Sequence, residues 1–310
     1  MRKWMAVLCF SLCAVLTLSA GAAGENTQSM IDVMCAPSGI AAVKDGGFLV
    51  TDTYNKVVYL VKGGKSTVYA GAKTVADLYG EPVGGYNDAS LKKSYFAEPW
   101  DIVPFMNGWA VSDTSNNAVR LIRSGKVQTV NAKIAGQRSN VKFNHPTGLA
   151  SDEQGNLYVA DTHNNLIRQI TPEGVASTFA SGLSEPTALY WKDESLYVAE
   201  TGKHRIIKIT DGKSILVAGT GEEGFADGVS GQATFSSPQG ITVDENGTVY
   251  VSDTGNSAVR RIANGYVTTL AAQDKSDSSL GLTSPTGILL RGNVLYVCDP
   301  FSRKIFSFPL

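Results

Sequence analysis

The sequence predicts an all-β fold, a six-bladed β-propeller of four-stranded antiparallel blades whose ring is closed by an N-terminal strand added to the last blade. Three observations predict it. One short phrase recurs six times along the chain, a proline opens each recurring unit, and the last unit stops after its third strand while a strand-like segment stands spare ahead of the first.

The phrase is clearest at Val251, where VSDTGNSAVRRI closes a β-branched and aromatic run at Asp253, turns through Thr254, Gly255 and Asn256, and leaves again from Ala258. An aspartate at a strand end accepts turn amide protons, and Gly or Asn tolerates the positive φ of a tight reversal. The other copies begin at Asp52, Asp113, Asp161, Glu200 and Asp299, and four of the six keep Asn three residues after the acid. Each follows a proline, namely Pro37, Pro99, Pro146, Pro186, Pro238 and Pro285. Three residues before each proline stands an apolar side chain: Met34, Phe96, Phe143, Leu183, Phe235 and Leu282. Gly39, Gly148, Gly240 and Gly287 fall two residues after theirs, where a small residue lets strands approach closely.

One unit shows the elements in order. After Pro146 the strands are predicted over 147–151, 157–160, 166–170 and 175–180, separated by the turns EQGN, DTHN and PEG. Leu157 and Val159 point one way and Tyr158 and Ala160 the other, so the sheet needs cover on both faces. Blades packed on neighbouring blades supply that cover. The units are also duplicated in threes: 85–99 aligns without a gap on 224–238, and VSDTSNNAVR from Val111 matches VSDTGNSAVR from Val251. The chain ends at Phe308-Pro309-Leu310, and residues 29–33 are expected to complete the last blade and remove its loose edge.

Arg2 and Lys3, an apolar run from Trp4 to Leu18 and the small triplet Ala20-Gly21-Ala22 have the three-part pattern of a secretory signal peptide. The expected organisation is a signal peptide at 1–22 cleaved after Ala22, a short linker at 23–28 and one propeller at 29–310. That implies a secreted or cell-envelope protein with no membrane span after cleavage. Lys and Arg number 27 against 28 Asp and Glu. Such a balance provides no field to draw in nucleic acid or an anionic bilayer. Of the cysteines, Cys35 and Cys298 fall near the seam of first and last units. A disulfide there suits an oxidising compartment, while Cys298 also occupies the slot of Ala160, Ala199 and Ser252, a small buried strand position.

The P-x-G openings, the LYVAD strand and the DTxNxxIR turn resemble NHL repeats, and the mature chain is similar throughout to secreted six-bladed NHL propeller proteins. The resemblance implies the fold and leaves function open, since such propellers include protein and RNA binders, a zinc-dependent amidating lyase and relatives among metal-dependent lactonases. The lyases hold zinc through histidines of several blades, and His145, His163 and His204 are the only histidines here. His163 and His204 sit in DTxN-type turns, which usually face solvent. Glu98, shortly before its proline, is placed like a lactonase ligand, but no matching Asn and Asp accompany it.

In a blade of this order the connection into strand one and the turn between strands two and three share a face. That face collects the long connections 72–98 and 220–237, where binding is expected. The repeated Asp–Arg pairs Asp113–Arg120, Asp161–Arg168 and Asp253–Arg260 are expected as strand-to-strand ion pairs, hence scaffold. Asp88 and Asp227 are expected in Asx-type turns rather than calcium sites. Asn246-Gly247-Thr248 fits a glycosylation triplet and, equally, a type I′ turn between Asp244 and Val249, and is read as the turn.

Function should sit where the copies disagree. Just before the prolines stand Ala36, Glu98, His145, Glu185, Ser237 and Ser284, expected to ring the channel mouth. Glu98, His145 and Glu185 are the candidate ligands of one divalent metal and the candidate catalytic groups. Just after the prolines come Ser38, Trp100, Thr147, Thr187, Gln239 and Thr286, a polar ring with one large aromatic. Trp100, Tyr54, Tyr86 and Tyr95, with Thr147, Thr187, Gln239 and Thr286, are the candidate ligand-binding residues. The reading is a monomeric ring that binds an extracellular protein, peptide or glycan through its long-loop face. The alternative is a metal-dependent hydrolase or lyase at the channel mouth.

Overall fold

Six small sheets follow one another along the chain in the computed structural model, which describes residues 29–32 (backbone only), 36–72, 77–78, 81–272 and 281–310. The signal peptide, the linker, Met34 and Cys35 lie outside the described residues. Blade 3 is built of Pro146–Ser151, Leu157–Asp161, Leu166–Ile170 and Val175–Ser181, antiparallel in sequence order and within a residue of the expected bounds. The innermost strand of each blade, which follows the proline, packs on that of the next, and the sixth packs on the first. That closes the ring.

The core lies between blades. Six buried clusters each join two neighbouring sheets: Leu157 and Val159 pack toward blade 2, while Tyr158 and Ala160 pack toward blade 4. Both faces of every sheet are therefore apolar, which is why the strands lack the one-sided alternation of a half-exposed sheet. Cys298 is a buried free thiol in the cluster joining blades 6 and 1. Burial pushes this thiol well up, and Asp101 and Asp299 add to the effect. Ser29–Asp32 pairs antiparallel with Lys304–Pro309, so the last blade takes its outer strand from the other end of the chain.

Three blades carry one strand more than expected. Ala89–Ser90 and Gly228–Val229 from the two long connections add to the outer edges of blades 2 and 5, and Lys133–Ile134 adds parallel to blade 3. Each covers edge groups that would otherwise be unpaired.

The recurrent turn also differs from the plain hairpin expected. After Asp113, Asp161, Glu200 and Asp253 the chain makes a short 3₁₀ turn that ends in a left-handed residue, at Asn117, Asn165, His204 and Ser257. The positive φ thus falls one residue beyond Asn256. Gly255 is needed for space instead: a Cβ there would lie 2.2 Å from Ser236 Oγ. At Asp244–Gly247 only Gly247 has positive φ and its N–H reaches Asp244 O, so this is a type I turn with a bulge rather than type I′.

Candidate functional site

Each strand-end carboxylate is buried and tied to the chain entering its own blade. Asp113 Oδ1 accepts the Ala97 and Glu98 N–H groups at 2.9 and 3.1 Å, Asp161 that of Asn144 at 2.7 Å, and Asp253 that of Ser236 at 2.7 Å. The following threonine donates to the proline carbonyl of the next blade, as in Thr114 to Pro146 at 2.7 Å and Thr254 to Pro285 at 2.7 Å. The left-handed residue clasps that blade as well. Asn117 Oδ1 accepts the His145 N–H at 2.7 Å, Asn165 Oδ1 that of Glu185 at 2.9 Å, and His204 Nδ1 that of Ser237 at 3.0 Å. The repeated phrase is therefore an inter-blade fastening. His204, expected to face solvent, is half-buried in it.

The predicted ion pairs form, at 2.7 Å for Arg120–Asp113, 2.6 Å for Arg260–Asp253 and 3.3 Å for Arg168–Asp161. Arg120 and Arg260 are fully buried, and each reaches further than expected, into a long connection. Arg120 Nη2 meets Asp88 at 2.7 Å and Arg260 Nη2 meets Asp227 at 2.7 Å, with Phe96 and Tyr86 about one guanidinium, Phe235 and Phe225 about the other. Asp88 and Asp227 are thus ion-pair partners rather than Asx-turn residues. Burial acts to raise each carboxyl, but the Thr129 or Thr269 amide and the arginine outweigh it and hold both below the ordinary range. Asn116 and Asn256 donate to Gly85 O and Gly224 O, both at 2.8 Å, and complete two matching clasps.

The candidate metal ligands do not assemble. Among the described residues no group of three or more His, Cys, Asp or Glu side chains is placed to hold a metal ion. The Glu98 carboxylate accepts a hydrogen bond from Ser115, Glu185 is exposed, and the His145 ring stacks on His163 with centroids 4.2 Å apart. Burial pushes the His145 imidazole down, His163 adds to this and Glu98 opposes it. None of the six residues preceding the prolines lines the central cavity. Their N–H groups are committed to the fastenings, and His145, Glu185 and Ser237 adopt left-handed backbone there.

That cavity, about 340 Å³, is the channel on the ring axis, walled by the innermost strand of every blade. Of the residues after the prolines, Ser38, Trp100, Thr187 and Gln239 line it, whereas Thr147 and Thr286 do not. The Thr147 hydroxyl bonds Thr162 Oγ1 at 2.6 Å and Thr187 O at 3.1 Å, and that of Thr286 reaches Ser38 O at 3.1 Å. Both hydroxyls join blades. Tyr54 is exposed in the Asp52 turn and Tyr86 on the first connection, Tyr54 bonded to the Glu81 carboxylate and Tyr86 to Thr129 Oγ1 at 2.7 Å. Tyr95 is half-buried, and its carbonyl accepts from Arg120 at 2.9 Å.

Residues 119–297 match the family described as Teneurin NHL domain, over more than half of the chain. The chain belongs to this NHL propeller family. Relatives of the propeller include human (Homo sapiens) Teneurin-1, 29% identical over 175 residues, covering 49% of this chain and 6% of Teneurin-1. Chicken (Gallus gallus) NHL repeat-containing protein 2 is 29% identical over 287 residues, covering 73% of this chain and 38% of the relative. The NHL propeller thus spans well under half the length of either. Among solved structures, virginiamycin B lyase from Staphylococcus aureus superposes with a TM-score of 0.62 at 15% identity, over 92% of this chain and 99% of the lyase. At that identity the likeness shows the fold alone.

One residue of the NHL propeller's channel was not anticipated. Asp101 is the only charged side chain on its wall among the described residues, and burial pushes its carboxyl up to about 6 against the Leu149 and Ile102 amides that donate to it. The signal was present in the sequence, because Asp101 occupies the slot of Gly39, Gly148, Gly240 and Gly287.

Proposed function

We propose that this NHL propeller is an exported binding module that engages an extracellular protein or peptide through the face bearing its two long connections. The observation that carries the reading is the pair of clasps. Buried Arg120 and Arg260 hold both connections down, while Tyr86 and Phe225 stay 56% and 52% exposed above them, with Val83 and Val229 also exposed. Aromatic side chains fixed in place and left open to solvent make contact area at little entropic cost. Export follows from the N-terminal pattern read above.

The test is capture of partners from secreted and envelope fractions with the mature chain and with a Tyr86→Ala/Phe225→Ala variant shown by thermal melting to be folded. The expected result is loss of the captured partner with the variant. Recovery of the same partner in equal yield would place the binding face elsewhere.

A further inference from the structure

Five of the six strands that wall the channel put a glycine or alanine two residues after the proline: Gly39, Gly148, Ala188, Gly240 and Gly287. The reason is steric. A Cβ on Gly39 would lie 2.6 Å from Trp100 O, one on Gly148 2.4 Å from Thr187 O, and one on Gly287 2.3 Å from Ser38 O. Blade 2 alone puts a charged side chain, Asp101, at this crowded position.

Its carboxylate receives two backbone donors, Ile102 N–H on Oδ1 and Leu149 N–H on Oδ2, each at 2.8 Å. Among the described residues no Lys, Arg or His lines the cavity, so the negative charge stands in a lining otherwise uncharged. An unpaired carboxylate in apolar surroundings costs stability, and such costs are retained at binding sites. Trp100 from blade 2 and Gln239 from blade 5 also line the cavity, and neither side chain has a protein hydrogen-bond partner among the described residues. One carboxylate is too few for calcium or magnesium, which take six or more oxygen ligands, and among the described residues no set of His, Cys, Asp or Glu stands with it to hold zinc. One carboxylate and one indole lining the same cavity suit a singly charged organic cation, through charge and through the ring face.

We propose that the central channel is a binding site for a small organic cation, an amine or quaternary ammonium group seated on the Asp101 carboxylate in the cavity that Trp100 also lines. The cavity volume, about 340 Å³, accommodates a ligand of choline size. This site is separate from the loop face, so loss of a partner there leaves the channel proposal standing, and the reverse also holds.

The test is calorimetric titration of the mature chain at neutral pH with choline, with butylammonium and with dimethylbutanol, the uncharged carbon isostere of choline. Choline or butylammonium is expected to bind at least about tenfold more tightly than dimethylbutanol. Asp101→Asn, which is isosteric, is expected to remove that preference with the thermal transition intact, and Trp100→Leu to weaken choline several-fold. Affinity for dimethylbutanol equal to that for both cations in the unmodified protein would overturn the proposal without reliance on any variant. So would unchanged cation affinity in folded Asp101→Asn, or no heat from either cation up to millimolar concentration.

Discussion

Asp101 sets the residue-scale prediction. Its carboxyl is pushed from 3.8 up to about 6 by burial, so between these values the folded chain holds a proton that the unfolded chain has released. Stability therefore falls as pH rises through this window, and the cost is fully present above it. A tenfold change in proton affinity is worth about 1.4 kcal/mol. With solvent reaching the group through the channel, the cost is on the order of 2 kcal/mol. Asp101→Asn removes the charge but gives up one acceptor for a backbone N–H, worth about 1 kcal/mol. The variant is expected to be about 1 kcal/mol more stable than the parent in urea unfolding at pH 7.5, with the advantage gone by pH 4. Gly148→Ala tests the ring packing: its Cβ would meet backbone 2.4 Å away, and a loss of about 1–3 kcal/mol is expected in the same assay.

The clasps belong to the scale of elements. Arg120 and Asp113 are both fully buried, as are Arg260 and Asp253, so removing one partner strands a charge away from water. Arg120→Ala or Arg260→Ala is expected to cost about 3–5 kcal/mol. Arg168→Ala removes a guanidinium that is 21% exposed and pairs at 3.3 Å, and the buried Asp161 keeps its Asn144 and Asn164 donors, so the expected cost is smaller, about 1–2 kcal/mol. Limited proteolysis should then cut within 72–98 in the first variant and within 220–237 in the second, because each arginine anchors its own connection. The two clasps agree even in detail, since Nε of each arginine is buried without a partner among the described residues. That likeness marks them as copies of one device.

For the whole molecule, the last blade is completed by a short strand far from its neighbours in sequence. Ser29 lies opposite Ser307 and Ile31 opposite Ile305, and without this pairing Lys304–Pro309 is an open edge. Deleting 29–32 is expected to lower the melting temperature and to promote self-association, measured by light scattering. Hydrogen exchange should quicken first along Lys304–Pro309. Innermost strands of other blades should keep their protection.

Repetition made the fold legible. The proline, the apolar residue before it and the strand-end acid recur because each performs the same local task six times, so unit bounds, alternate burial and the closing strand could all be read without coordinates. The site was less legible for the same reason. Residues before the prolines broke the repeat and invited a metal reading, yet whether Glu98, His145 and Glu185 meet depends on backbone twist at each blade junction. Asp101 broke the repeat too, among small residues. Local sequence determined the hairpin units and their number, since a turn depends on neighbours a few residues apart. Which side chains face the channel, and that one carboxylate stands there without a counter-charge, was decided only when six strands from distant parts of the chain converged on one axis.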